Sequence, residues 1–177
     1  MATITLVTGG ARSGKSMFAQ KHALSYSGDR IFIATAVAID REMEMRILKH
    51  QEERADQFTT VEVPYDLPAA IRQLTGTTRI ACVDCLTVWL GNMLYKYENV
   101  TTAIDAAIDE LIDTLQTTRC DLVVVTNEVG YGIVPENAMA RVFRDYAGTL
   151  NRRVAEIADS VYLCVCGIPV PIMKQKG

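Results

Sequence analysis

Gly9-Gly10-Ala11-Arg12-Ser13-Gly14-Lys15-Ser16 stands between an apolar run, Ile4 to Val7, and a helix-forming segment. Strand, then Gly-x-x-x-x-Gly-Lys-Ser, then helix is the order of a phosphate-binding loop. Glycines let successive backbone N–H groups turn around an anion without Cβ clashes. The helix that follows points its positive end at the same place. Lys15 is placed to reach the outer phosphates and the Ser16 hydroxyl to ligate Mg²⁺. The stretch predicts a nucleotide-binding protein.

Outward from this loop the chain alternates apolar strands with amphipathic helices. Strands are predicted at Thr3 to Thr8, Arg30 to Thr35, Thr59 to Val63, Arg79 to Asp84, Asp121 to Thr126 and Ser160 to Cys166. A last one at Val170 to Met173 is confined to an edge by Pro169 and Pro171. Helices are predicted at Ser16 to Tyr26, Asp40 to Arg54, Leu67 to Leu74, Leu86 to Tyr97, Thr102 to Thr118 and Glu136 to Ala158. Thr102 and Asp105 read as a capping-box variant, and Met139, Val142, Phe143, Tyr146, Leu150, Val154 and Ile157 as one apolar stripe. Such alternation predicts an α/β domain in three layers: a mostly parallel sheet with helices on both faces and an antiparallel edge strand. Ligands of such sheets bind at the carboxyl ends of the strands. The phosphate loop, the segment after Thr35, Asp84, the loop after Thr126 and the segment after Cys166 would therefore meet.

Composition narrows the class. With 177 residues, 49 % hydrophobic and 22 % charged, the chain reads as one globular catalytic domain spanning 1–177. A net charge of −3 supplies no basic field to steer nucleic acid or a membrane surface. The N-terminal apolar run is too short and too uncharged in front to be a signal peptide, and no run approaches membrane-spanning length. Five cysteines, an odd number set mostly in apolar runs, suit the reducing cytoplasm.

Several residues are candidates for chemistry. Asp84 ends an apolar strand, where an acid positions the metal of phosphate-loop enzymes; capping the next helix is the alternative. His50 shares a helix face with Met43, Ile47 and Arg54, and Arg46, Lys49 and Arg54 make its surroundings cationic. A cationic setting favours a nearby phosphate and the neutral, nucleophilic imidazole. His22 reads as an exposed residue without a role. Cys82-x-x-Cys85 with Cys164-x-Cys166 has the count for a four-thiolate zinc site, but strand cysteines behave as small hydrophobes and no turns splay them toward a metal. Asn127 and Glu128 open a loop carrying Gly130, Gly132 and Pro135, where they either meet substrate or metal or bond the loop backbone.

The opening Val-Thr-Gly-Gly-Ala-Arg-Ser-Gly-Lys-Ser resembles the start of the bifunctional adenosylcobinamide kinase / adenosylcobinamide-phosphate guanylyltransferase family. So do Asp40-x-Glu42-Met43-x-x-Arg46-Ile47-x-x-His50-x-x-x-Arg54, Glu62-x-Pro64-x-Asp66-Leu67 and Asp84-Cys85-Leu86-Thr87-x-Trp89. The most distinctive block is Thr126-Asn127-Glu128-Val129-Gly130-x-Gly132-Ile133-Val134-Pro135-Glu136-Asn137, continued by Ala140-Arg141-x-Phe143-Arg144-Asp145.

The resemblance implies a RecA-like fold, a homotrimer, and two reactions of cobalamin biosynthesis. Adenosylcobinamide is first phosphorylated by a nucleoside triphosphate. GMP from GTP is then carried on a histidine to adenosylcobinamide phosphate, with release of pyrophosphate. GTP and ATP are the implied co-substrates, with Mg²⁺. The nucleophile falls on His50, and nucleotide contacts fall on Gly9 through Ser16 (Gly9, Gly10, Ala11, Arg12, Ser13, Gly14, Lys15, Ser16), on Ala34, Thr35 and Ala36, on Gln51, Glu52, Glu53 and Arg54, and on Glu62 and Asp84. Lys49, Ala55, Phe58 and Arg152 depart from common family residues. A simple phosphate-loop kinase without a covalent step, and a non-catalytic nucleotide sensor, are the rival readings.

Overall fold

In the computed structural model, residues 2–37, 41, 45, 52, 54, 56–74, 76–98 and 100–172 are described. Seven strands, β1 (Ile4–Gly9), β2 (Asp29–Ala34), β3 (Thr59–Glu62), β4 (Thr78–Asp84), β5 (Asp121–Val125), β6 (Ser160–Val165) and β7 (Ile168–Ile172), form one sheet in the order β3-β2-β4-β5-β1-β6-β7. Every pairing is parallel except β6 with β7. The helices are α1 (Lys15–Leu24), α2 (Leu67–Arg72), α3 (Leu86–Lys96), α4 (Thr101–Thr117) and α5 (Ala138–Ile157). The expected helix from Asp40 to Arg54 lies largely outside the described residues.

Side-chain parity along the strands divides the core in two. Leu6, Ile33, Ala81, Val83, Leu122 and Val124 face α3, α4 and α5, packing with Leu86, Trp89, Leu90, Ile104, Leu111, Leu150 and Val154. Their neighbours Val7, Phe32, Cys82, Val123 and Val125 face the other way, against Ala19 and Ala23 of α1. The central strands are apolar on both faces because both faces are covered. The three-layer expectation therefore stands, as does the antiparallel edge. In β7, Pro169 and Pro171 stand opposite Cys164 and Tyr162, at a sheet edge where a missing N–H is tolerated.

Three local expectations are corrected. Helix α4 starts at Thr101, with Val100 as its N-cap and no side-chain cap, so Thr102 and Asp105 form no capping box. The Val100 carbonyl receives the N–H groups of Ala103 and Ile104 instead. Met139 is exposed rather than part of the α5 stripe, because α5 begins one residue before it, capped by Asn137 through the Ala140 N–H. Its inward face starts at Val142. His22 is half-buried in a row of rings, with centroids 6.1 Å from Phe18 and 5.7 Å from Tyr26. That burial lowers its pKa below the ordinary histidine value.

Candidate active site

The phosphate loop leaves the end of β1 between β5 and β6. Gly9 (φ 148°) and Gly14 (φ 91°) adopt backbone conformations that favour glycine. A Cβ at Gly9 would lie 2.4 Å from the Cys164 carbonyl oxygen and 2.8 Å from Ser13 Oγ. One at Gly14 would lie 3.0 Å from Gly167 Cα. Gly167 belongs to the two-residue β6–β7 turn, where Cys166 (φ 52°) and Gly167 (φ 81°) carry the paired positive φ of a type I′ hairpin. Its N–H donates to the Ser13 carbonyl at 3.0 Å. The segment after Cys166 thus reaches the loop, as its strand order requires.

Lys15 is buried, and its Nζ donates to the Gly10 carbonyl at 2.5 Å and to Ser13 Oγ at 3.4 Å. Burial lowers its pKa, while the negative charge of Asp84 works in the opposite direction. An ammonium held inside the loop, with an acid nearby, is a compact charge ready for phosphate. Ser16 follows in the first turn of α1.

Asp84 closes β4, and the Asp84–Cys85 peptide is cis. Its backbone carbonyl accepts from the Thr35 N–H at 3.2 Å. Cys85, not Asp84, is the N-cap of α3, and no side chain caps that helix. The capping alternative for Asp84 therefore falls away. Thr35 is fully buried, and its hydroxyl both donates to the Cys85 carbonyl (2.8 Å) and accepts from the Cys85 N–H (2.7 Å). Asn92 ties the same corner together, donating to the Thr35 carbonyl at 2.9 Å and to the Pro64 carbonyl at 2.8 Å. The Thr35 side chain therefore fixes the β4 terminus. Ala34 and Ala36 flank it at the end of β2.

Other expected residues divide. Glu62 ends β3 exposed, in register with Ala34, and Glu52 is exposed. Arg54 is buried, its guanidinium carbon 3.7 Å from the centroid of the Phe32 ring, which meets Phe58 edge-on. Packing on Phe32 places Arg54 against the α1 side of the sheet. His50, Gln51 and Glu53 lie outside the described residues.

The cysteines behave as the hydrophobes expected. All five are free, and only Cys166 is exposed. Burial, then the charge of Asp84, pushes the Cys85 thiol up to about 11, and burial raises Cys82 and Cys164 as well. Among the described residues no group of three or more His, Cys, Asp or Glu could hold a metal ion.

A polar network lies beside the loop; the sequence singles out Asn127 and Glu128 of it, but neither Thr8 nor Asn151. Thr87 Oγ1 meets Thr126 Oγ1 at 3.0 Å, and Thr126 donates to Asn151 Oδ1 at 2.6 Å. Asn151 Nδ2 donates to the Asn127 carbonyl (3.0 Å) and to Glu128 Oε1 (3.1 Å), and Thr8 Oγ1 donates to the same carboxylate oxygen at 2.9 Å. The Glu128 N–H donates to the Gly9 carbonyl at 3.0 Å. The available signal was Asn151 itself, a polar residue between Leu150 and Val154 on the buried face of α5. Beyond Glu128, an open cleft of about 580 Å³ is lined by Gly130, Gly132, Val134, Arg144, Thr149 and Arg152 among others.

Residues 5–172 match a family model, CobU, described as cobinamide kinase / cobinamide phosphate guanyltransferase. The bifunctional adenosylcobalamin biosynthesis protein CobU of Escherichia coli (strain K12) is 39 % identical over 181 residues, covering 94 % of this chain and 98 % of that protein. The protein of the same name from Salmonella typhimurium is 40 % identical with the same coverage. The bifunctional adenosylcobalamin biosynthesis protein CobP of Pseudomonas aeruginosa is 36 % identical over 170 residues, 96 % of this chain and 97 % of that one. Among solved structures, the RadB recombinase superposes with a TM-score of 0.54 over 91 % of this chain and 73 % of its own, at 14 % identity, which speaks for the fold alone. The chain belongs to the cobinamide kinase / cobinamide phosphate guanyltransferase family.

Proposed function

We propose that this chain catalyses both reactions in its family's description. It phosphorylates the hydroxyl of adenosylcobinamide from a nucleoside triphosphate, then transfers GMP from GTP to the product, giving adenosylcobinamide-GDP and pyrophosphate. The observation that carries the reading is the family match along almost the whole chain, joined to a formed phosphate loop with Lys15 buried inside it. We also propose that residues 1–177 work as one catalytic domain, in the cytoplasm and as a homotrimer. Among the described residues, no helix is long and apolar enough to cross a membrane.

In this reading the N–H groups of Gly9 through Ser16 hold the triphosphate, and Lys15 neutralises charge that develops as a phosphoryl or nucleotidyl group departs. Ala34, Thr35 and Ala36, with Gln51, Glu52, Glu53, Arg54 and Glu62, are the proposed surroundings of the nucleotide; the buried Thr35 and Arg54 side chains contribute by positioning. Magnesium takes hard oxygen donors and keeps much of its water, so one or two protein oxygens suffice. The hydroxyl of Ser16 and the carboxylate of Asp84 fit that donor set, and Asp84 also bears on Lys15. When bound, the ion would supply charge neutralisation on the phosphate oxygens. His50 is the proposed nucleophile, its nitrogen taking GMP and releasing pyrophosphate. Covalent storage splits one displacement into two in-line steps.

The test is incubation with GTP labelled at the α-phosphate, with no corrinoid present. Acid-labile, base-stable label on the protein, absent from His50→Ala, is the expected result. Absence of any protein label would leave only the kinase rival or a nucleotide sensor. Phosphorylation of adenosylcobinamide by γ-labelled ATP, retained in His50→Ala, tests the first reaction separately.

A further inference from the structure

A phosphoryl acceptor needs somewhere to put its hydroxyl proton, and Asp84 and Glu128, two acids beside the phosphate loop, differ in their fitness for that task. Asp84 shares its field with Lys15. Glu128 lies in the segment that leaves β5, with its N–H on the Gly9 carbonyl. Its Oε1 receives two donors, Thr8 Oγ1 and Asn151 Nδ2. Both donors are uncharged, so they orient the carboxylate without neutralising it. Asn151 is itself held, because its Oδ1 accepts from Thr126. Glu128 is half-buried rather than sealed, and the open cleft begins two residues further along the same loop, at Gly130.

We propose that Glu128 is the general base of the kinase reaction, with Thr8 and Asn151 as its positioning residues. The inference rests on the kinase half of the proposed function. In the step, the acceptor hydroxyl gives its proton to the Glu128 carboxylate as its oxygen forms a bond to the γ-phosphorus. The bond from that phosphorus to the bridging oxygen breaks, and the nucleoside diphosphate leaves with the electron pair. The proton is lost to water after release of the phosphorylated alcohol. The cleft beyond Glu128, between the 127–137 loop and α5, is the side from which this acceptor enters.

Glu128→Gln tests the assignment, because glutamine keeps an oxygen acceptor for Thr8 and Asn151 while removing the basicity. Kinase kcat with adenosylcobinamide and ATP is expected to fall by about 10²–10⁴-fold, the usual contribution of a positioned base. The KM for ATP should stay within about threefold, since the phosphate loop is untouched. Labelling of the protein by α-labelled GTP, which deprotonates no alcohol, should persist at the wild-type extent. Kinase activity kept within about threefold, or loss of both reactions together, overturns the assignment. Asn151→Ala is the second variant. It should lower kinase kcat about tenfold without changing protein labelling, and add nothing in the Glu128→Gln background, as expected of residues acting as a unit. Additive losses would overturn the positioning role. Wild-type protein that takes the GTP label but never phosphorylates adenosylcobinamide would sink the kinase reading itself, and Glu128 with it.

Discussion

Asp84, the last residue of β4, and Glu128, just past the neighbouring β5, live in different electrostatic company. Asp84 lies where its charge reaches Lys15 and a buried thiol, and its backbone is clamped by Thr35. Glu128 is gripped through one carboxylate oxygen by a threonine and an asparagine. An acid that shares its field with a cation suits phosphate and metal. An acid oriented by a hydroxyl and an amide suits an exchange with a substrate hydroxyl. The sheet thus presents two carboxylates a strand apart, and what separates their proposed roles is the second layer of residues.

The comparison can be broken at several points. Lys15→Ala should be the most damaging, lowering both reactions by at least about 10²–10³-fold, because both displacements put charge on phosphate oxygens beside it. A variant that lost only one reaction would show that the two do not share the loop. Asp84→Asn should come next, with both reactions down about 10²-fold and more Mg²⁺ needed for half-maximal rate. If Asp84→Asn spared labelling while Glu128→Gln abolished it, the proposed roles would be reversed.

A subtler test is the alkaline limb of nucleotide binding. Burial lowers the Lys15 pKa and Asp84 opposes that shift, so the ammonium is lost, and phosphate binding with it, as pH rises through the folded-state value. Removing the Asp84 charge takes away a raising influence. Binding of a fluorescent nucleotide to Asp84→Asn should therefore fail at lower pH than in the wild type; a shift to higher pH would contradict the pairing. On the scaffold side, Asn92→Ala strips the Thr35 and Pro64 carbonyls of a donor, at about 1–3 kcal/mol of stability by urea denaturation. The smallest effect belongs to His22, whose lowered pKa means the unfolded chain binds more protons near its ordinary value. Stability falls as pH drops through that region, and His22→Phe should flatten a slight part of the fall in thermal midpoint.

Much of this was legible in the chain because it rests on local rules. The phosphate loop is a backbone device, so its glycines and lysine announce it, and apolar strands alternating with striped helices announce a sheet covered on both sides. Asp84 was legible as a strand-terminal acid. What stayed ambiguous depended on contacts between distant segments. Thr8, Thr87, Thr126 and Asn151 carry no spacing signature, since they come from β1, α3, the end of β5 and α5. Likewise, nothing local to Arg54 says that it will stack on Phe32 from a neighbouring strand. Met139 misled because a stripe continues in sequence past the point where a helix has anything to pack against.

The Gly167 N–H that closes on Ser13 has a consequence for how the protein is made. Ribosomes deliver the phosphate loop before the β6–β7 hairpin, so the loop emerges ahead of a segment that helps to complete it. Contacts of such long sequence separation form late and slowly. Until the hairpin arrives, the loop lacks one of the donors that hold its shape. Completion of the sheet is thereby also completion of the loop.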